Sequence, residues 1–129
     1  GLYRAVVSIA GDADLPEALA FSRREDGADS PAYAYWCGSM GDPKADQDLL
    51  RRASPARRAA EITAPVLLIH GVQDTIVDPK QSRLMVKALR AAGRTCEHVE
   101  LKDEGHRNWS EDTWKIVLTR MTGFIGKHI

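Results

Sequence analysis

The stretch over residues 65–77, P-V-L-L-I-H-G-V-Q-D-T-I-V, constrains the fold of this chain more than any other segment. Its unbroken apolar run over residues 66–69 predicts a strand that is covered on both faces, as the strands of parallel α/β sheets are. The run ends at His70 and Gly71, and an acid, Asp74, follows three residues after the glycine. Because polar groups beyond the carboxyl ends of such strands face the ligand crevice, Asp74 is a candidate functional residue.

Two further strands are predicted, one on each side of this segment in the chain. The β-branched, mostly apolar run over residues 4–10 predicts a buried strand, and the weakly alternating run over residues 96–101 predicts a strand nearer a sheet edge. Helical patterns separate the strands along the chain. This alternation predicts an α/β fold with about three parallel strands and flanking helices, in a single domain over residues 1–129.

The helices are predicted from their start signals. Residues 12–30 show no sustained period and are expected to form loop with one short helix at most. Gln81 is expected to reach back to the start of its helix as in a capping box. The four predicted helix starts, each with a capping residue or an early proline, are Asp42-Pro43 (to about residue 53), Ser54-Pro55 (to about residue 60), Asp78-Pro79 and Ser110.

Composition excludes several classes of function. The chain carries 18 Lys and Arg and 18 Asp and Glu, so a net charge of zero provides neither a basic footprint for nucleic acid nor a polybasic membrane anchor. Its two cysteines, Cys37 and Cys96, lack the C-x-x-C spacing of a metal site, and no cofactor is predicted. The first residues have no signal-peptide layout, which favours the cytoplasm, although a preceding segment would leave the periplasm or secretion open.

The loop after the third predicted strand, K-D-E-G-H, carries His106 to the same crevice as Asp74. If the two strands are neighbours, the side chains can meet, and an Asp that accepts a hydrogen bond from His Nδ1–H fixes the tautomer and stabilises the imidazolium. The alternative is a surface Asp in a turn and a solvated His. Their paired placement after consecutive strands favours the catalytic interpretation.

Several motifs together resemble the prolyl oligopeptidase family of serine hydrolases. They are Y-R-A-V-V-S-I-A-G-D-A-D-L, Y-W-C-G-S-M-G-D-P, the tract from S-P-A-R-R through H-G-V-Q-D to K-Q-S-R-L-M, and L-K-D-E-G-H. The resemblance implies the C-terminal part of an α/β-hydrolase fold, with Asp74 as triad acid and His106 as triad base. It also implies a substrate pocket, for which ordinary packing is the alternative role of each candidate. The pocket candidates are Leu15, Tyr33, Trp36, Ile76 and Val77.

The nucleophile of that family lies in G-x-S-x-G at a strand-to-helix elbow, and this motif does not occur in the 129 residues. The nearest match, C-G-S-M-G around Ser39, has cysteine in place of the first glycine and no buried strand before it. The strand and the elbow that carry the serine, and with them the oxyanion hole, are therefore expected outside this sequence. We expect the chain alone to be inactive and a longer parent protein to hydrolyse peptide or acyl bonds.

Two other interpretations stay open at this stage. A carboxylesterase or a dienelactone-hydrolase-like enzyme would share the placement of Asp74 and His106. A non-catalytic module is the second alternative, because the strand over residues 4–10 would have a free parallel edge if its usual neighbour were absent. A second copy of the chain or an N-terminal half of a split enzyme could dock on that edge.

Overall fold

In the computed structural model, which describes residues 2–129, three parallel strands form one sheet in the order β1–β2–β3. The strands are β1 (Val6–Ile9), β2 (Val66–Gly71) and β3 (Cys96–Leu101). Val66 in the central strand lies opposite Val6 on one side and Cys96 on the other. The predicted α/β class and the three parallel strands are confirmed.

Five α-helices and one 3-10 helix flank the sheet in the described residues. Helix α4 follows β2 and leads to β3, as the crossover between parallel strands requires. The helices are α1 (Leu15–Glu25), α2 (Pro31–Met40), α3 (Gln47–Ala53), the 3-10 helix (Pro55–Glu61), α4 (Lys80–Ala91) and α5 (Glu111–His128).

Strand β2 is buried along its whole length because its alternate side chains supply two cores. Val66 and Leu68 pack on one face of the sheet with the side chains of α4 and the 3-10 helix. Leu67 and Ile69 pack on the other face with Val117 and other residues of α5. The unbroken apolar run therefore reflects a strand covered on both sides, as predicted.

The prediction for residues 12–30, loop with one short helix at most, underestimates the helix in this segment. Helix α1 occupies 11 of these residues. Its start is capped by Asp14, whose Oδ1 accepts a hydrogen bond from the Glu17 N–H at 3.2 Å. A local cap and a proline in the first turn, Pro16, therefore outweigh the weak hydrophobic period of this segment.

The predicted helix start at Asp42-Pro43 is also displaced. Asp42 Oδ1 accepts hydrogen bonds from the N–H groups of Lys44 and Ala45, both at 2.8 Å, and so closes a separate turn. Helix α3 begins only at Gln47. The aromatic segment before this turn is helix α2, capped by Ser30, whose Oγ accepts from the Tyr33 N–H at 3.0 Å.

Helix α5 is capped by Ser110, as predicted, and only part of its apolar stripe is buried. Val117 and Phe124 are buried, whereas Trp114 and Leu118 remain 44% and 53% exposed. Among residues 2–129, no helix combines the length and the apolarity that crossing a bilayer requires.

Candidate active site

Asp74 lies in the turn that follows β2, with its carboxylate buried. Oδ1 accepts hydrogen bonds from the backbone N–H groups of Ile76 at 2.8 Å and Val77 at 2.9 Å. Its side chain has no exposed surface. A buried carboxylate needs such donors to offset lost hydration, and here the chain two and three residues further on provides them.

His106 meets Asp74 at the carboxyl end of the sheet. The Nδ1–H of His106 donates to Asp74 Oδ2 over 2.9 Å. The His106 side chain is 28% exposed, and its Nε2 has no hydrogen-bond partner among the described residues. One ring nitrogen is therefore held by the acid while the other is open to a ligand.

Two loops must lie in close contact for this pair to form. The Gln73 N–H donates to the Glu104 carbonyl at 2.9 Å, which joins the loop after β2 to the loop after β3. A Cβ at position 71 would collide with the carbonyl oxygens of Glu104 and Gly105. The glycine of the H-G-x-x-D segment therefore permits the approach that brings His106 to Asp74. The Trp109 Nε1–H donates to the Gly105 carbonyl at 2.8 Å and holds the loop from its other end.

The environment favours the ionised form of Asp74. Burial by itself raises the pKa of this carboxyl. Hydrogen bonds from the Val77 N–H and from His106 outweigh that effect, with a further contribution from the Ile76 N–H. The pKa of Asp74 consequently lies below its ordinary value, so the group is an anion at neutral pH and can stabilise a protonated His106.

A second histidine, His70, contacts the same carboxylate. It is the fifth residue of β2, 1% exposed, and its Nε2 lies 3.2 Å from Asp74 Oδ2 and 3.0 Å from the Val77 carbonyl. Its Nδ1 lies 2.6 Å from Ser82 Oγ at the start of α4. Sequence reasoning missed both His70 and Ser82. The available signal was a histidine within a fully buried strand, four residues before a candidate acid.

A cavity of about 470 Å³ adjoins His106. Trp36 of α2 lines it, as do Ile76 and Val77 of the loop that carries Asp74. Three of the five predicted pocket residues therefore lie around one cavity with the predicted base. Leu15 is not among its lining residues, and Tyr33 lies in a different groove on α2, beside Pro16, Asp42 and Pro43. Sequence reasoning missed most of the other lining residues, among them Leu19, Phe21, Ala32, Met40 and Asp12.

The loop after β1, which carries Asp12 to the cavity, is fixed by Gln81. Gln81 Oε1 accepts from the backbone N–H groups of Ala13 at 2.9 Å and Asp14 at 2.7 Å, and its Nε2 donates to the Asp14 carbonyl. The expected capping-box contact is therefore replaced by a clamp between α4 and this loop. The Asp78 carboxylate instead accepts from the Lys80 N–H at 2.8 Å.

The structure shows what surrounds the remaining candidate groups. Ser39 is exposed in the last turn of α2, which follows helix α1 rather than a strand, so it does not lie on a nucleophile elbow. Within residues 2–129, no cluster of three or more His, Cys, Asp or Glu side chains is arranged to hold a metal ion.

Comparison with known proteins agrees with this architecture. Residues 2–129 match the family model described as "Prolyl oligopeptidase family". The chain is 38% identical over 69 residues, 52% of its length, to dipeptidyl aminopeptidase BIII of Pseudoxanthomonas mexicana. It is 34% identical over 79 residues, 59% of its length, to a monoacylglycerol lipase of Mycolicibacterium smegmatis.

Among solved structures, a puromycin-hydrolyzing peptidase of Mycobacterium tuberculosis matches 98% of the chain with a TM-score of 0.86 and 24% identity, which shows the shared fold. The chain spans only 10% and 26% of the length of the two sequence relatives and 18% of this structure. The three-stranded sheet thus corresponds to part of an α/β-hydrolase fold. Because the family model matches residues 2–129, nearly the whole of this chain, the chain belongs to the prolyl oligopeptidase family.

Proposed function

We propose that this chain supplies the acid, Asp74, and the base, His106, of a Ser-His-Asp triad in a serine hydrolase. The nucleophilic serine is contributed by a segment outside these 129 residues, and residues 1–129 form part of one catalytic domain. The observation that carries the proposal is the 2.9 Å hydrogen bond between His106 Nδ1 and the buried Asp74 Oδ2. It is supported by the open Nε2 of His106, which adjoins the cavity.

The proton transfers follow from this geometry. His106 Nε2 accepts the proton of the serine hydroxyl as the serine oxygen attacks a carbonyl carbon, and Asp74 stabilises the resulting imidazolium. The imidazolium then gives that proton to the leaving amine or alcohol. A water molecule repeats the sequence and releases the acid product, so His106 ends in the state in which it began.

The cavity next to His106 favours a substrate with an apolar side chain beside the cleaved bond. Phe21, Trp36 and Met40 contribute apolar surface to it, and apolar surface removed from water is the main source of affinity in such pockets. The aminopeptidase relative favours peptide substrates.

The test compares the 129-residue chain with a longer polypeptide in which a strand–helix unit with G-x-S-x-G precedes β1. The short chain should not hydrolyse aminoacyl or peptidyl chromogenic substrates, and the longer polypeptide should. In the longer polypeptide, Asp74→Asn should lower kcat about ten-thousandfold. A longer polypeptide that retains full activity with Asp74→Asn would contradict the proposed role of the acid.

Ester hydrolysis is a second candidate activity, favoured by the similarity to the monoacylglycerol lipase. A carboxylesterase or dienelactone-hydrolase-like enzyme would use the same Asp74 and His106. Matched amide and ester substrates with one acyl group would separate the two activities in the longer polypeptide. Turnover of esters alone would favour the esterase over the peptidase.

Self-association is a candidate property of the isolated chain. In the described sheet, β1 pairs only with β2, so its other edge is free. An apolar cavity of about 430 Å³ lies on one face of the sheet at β1 and β2, lined in part by Val6, Leu68 and Met85. We expect a second copy to cover this edge. Light scattering after size exclusion should show a dimer or larger species. A stable monomer at micromolar concentration would contradict this expectation. Capture of an N-terminal half would indicate a split enzyme instead.

A further inference from the structure

We propose that His70 is a positioning residue for the Asp74–His106 pair. It acts as a neutral imidazole whose Nε2–H is donated towards Asp74 Oδ2 while its Nδ1 accepts a hydrogen bond from Ser82. The inference rests on the proposed function, in which Asp74 and His106 are the acid and base of a triad. It assigns a role to His70 and Ser82, two buried polar side chains that do not line the cavity next to His106.

Four hydrogen-bond donors surround the Asp74 carboxylate. Oδ1 accepts from two backbone N–H groups, those of Ile76 and Val77. Oδ2 faces His106 Nδ1 at 2.9 Å and His70 Nε2 at 3.2 Å. Because each oxygen has two donors, His106 is not the only group that fixes the orientation of the carboxylate and stabilises its ionised form. When a substrate displaces His106 slightly, Asp74 retains three of its four donors.

The groups around the His70 ring determine which of its nitrogens carries the proton. Its Nε2 lies near two acceptors, Asp74 Oδ2 and the Val77 carbonyl, and a carbonyl oxygen can only accept. Nε2 must therefore carry a hydrogen, which is shared between these two oxygens. Nδ1 contacts Ser82 Oγ at 2.6 Å, and Ser82 Oγ has no other hydrogen-bond partner among the described residues. The hydroxyl hydrogen is thus available for Nδ1, and the neutral Nε2–H tautomer satisfies every group.

The charge of the His70 ring affects how Asp74 acts on His106. A cationic His70 would form a buried ion pair with Asp74 and neutralise the anion that has to stabilise the imidazolium of His106. A neutral His70 holds the carboxylate in place and leaves its charge to His106. The contact with Ser82 favours that state because the serine hydrogen occupies the lone pair that a second proton would need.

The tautomer can be measured in the 129-residue chain without any substrate. In ¹³C,¹⁵N-labelled protein at pH 8, His70 should show a protonated Nε2 and an unprotonated Nδ1, with its ring signals assigned through bond-by-bond correlations to the backbone of residue 70. A protonated Nδ1, either in the opposite tautomer or in the cation, would overturn the proposal. This measurement decides the question even where a substituted chain does not fold.

A pair of variants tests the coupling to His106. His70→Gln keeps a side-chain N–H for Asp74 and the Val77 carbonyl. His70→Leu combined with Ser82→Ala has a similar volume but no donor, and it leaves no serine hydroxyl unpaired. The low-field Hδ1 resonance of His106 reports its hydrogen bond to Asp74 and is assigned by its loss in His106→Ala. It should persist in His70→Gln. In the double variant, His70→Leu with Ser82→Ala, it should disappear because Hδ1 exchanges with water. Equal loss in both variants, or persistence in both, would overturn the proposal.

Neither measurement depends on turnover. Failure of the longer polypeptide to hydrolyse any substrate would contradict the proposed function while these NMR results stood. The wrong tautomer or an uncoupled His106 would contradict the role of His70 while hydrolysis stood.

Discussion

The two sides of the candidate active site are built in different ways. On the sheet side, Asp74 is fully buried, and every oxygen of its carboxylate has donors from the chain itself. On the helical side, α2 has no buried residue, and its Tyr35 and Trp36 are 64% and 40% exposed. The sheet side is fixed by hydrogen bonds and close backbone contacts, whereas the α2 wall is held mainly by partly buried contacts.

Under the proposed function, this difference separates the chemistry from the choice of substrate. Residues that hold a proton in place need fixed distances, and the two loops around Gly71 provide them. Residues that contact a substrate side chain tolerate more movement, and α2 is placed where such movement costs little. We therefore expect substitutions on the sheet side to affect folding and catalysis together, and substitutions on α2 to affect substrate binding alone.

The largest expected effect is that of Gly71→Ala. The added methyl group collides with the carbonyl oxygens of Glu104 and Gly105, and the backbone of neither loop can yield without separating His106 from Asp74. Gly71→Ala should lower the free energy of unfolding by about 3 kcal/mol. The matched control is Gly38→Ala in exposed α2, where no atom lies within 4 Å of the new Cβ and stability should rise by about 0.5–1 kcal/mol. Urea denaturation of both variants measures this, and equal effects would contradict the comparison.

A smaller effect, with a characteristic pH dependence, is expected for Asp74→Asn. The asparagine N–H₂ group would face two N–H donors, so the variant should lose about 1–3 kcal/mol of stability at pH 7. Because the pKa of Asp74 is lowered in the folded state, its contribution is present above the unfolded pKa of about 4 and is lost as pH falls through the folded value. The difference between wild type and Asp74→Asn should therefore shrink below about pH 4.

Asp12 provides the control of opposite sign in the same experiment. Partial burial at the cavity raises the pKa of Asp12, and the charge of Asp74 adds to this, although the exposed surface of the residue limits the shift. Its ionisation therefore costs stability above the folded pKa, and that cost is absent below the unfolded value. Asp12→Asn should stabilise the chain at pH 7, and the gain should vanish in acid. The denaturant midpoint of each variant is compared with that of the wild type from pH 3 to 7. Shifts in the same direction for both variants would refute this account of the two carboxylates.

The smallest effect on stability is expected for Trp36→Ala on α2. Because Trp36 is 40% exposed, its removal should change the free energy of unfolding little, but in the longer polypeptide it should raise KM roughly tenfold with kcat nearly unchanged. Leu118→Ala on α5 is the control, since Leu118 is also an exposed apolar residue, at 53%, and does not line the cavity next to His106. A fall in kcat for Trp36→Ala would show that the α2 wall also positions the reacting groups.

What could be predicted from the sequence follows the same division. The apolar run before His70 and the two polar residues after neighbouring strands, Asp74 and His106, were sufficient to place the sheet and the pair, because strand burial and strand direction are strongly encoded. The helical segment was predicted poorly. Its helices depend on local caps at Asp14 and Ser30, which compete with equally good turn signals such as Asp42.

The positions of individual polar side chains could not be predicted in this way. Gln81 has the spacing of a capping box, yet it clamps the backbone at Ala13 and Asp14, 68 and 67 residues earlier in the chain. His70 likewise contacts Ser82, which lies in the first turn of α4. Such contacts join distant parts of the chain through tertiary packing, and local patterns carry no information about them.

The most direct test of the central claim compares His106→Ala with Ser39→Ala in the longer polypeptide that carries G-x-S-x-G. His106 holds the hydrogen bond to Asp74, whereas Ser39 lies on an exposed helical turn away from the lining of the cavity. We predict that His106→Ala lowers kcat at least a thousandfold and that Ser39→Ala leaves it unchanged. The claim would be contradicted by full activity without the imidazole of His106, or by loss of activity when Ser39 is replaced.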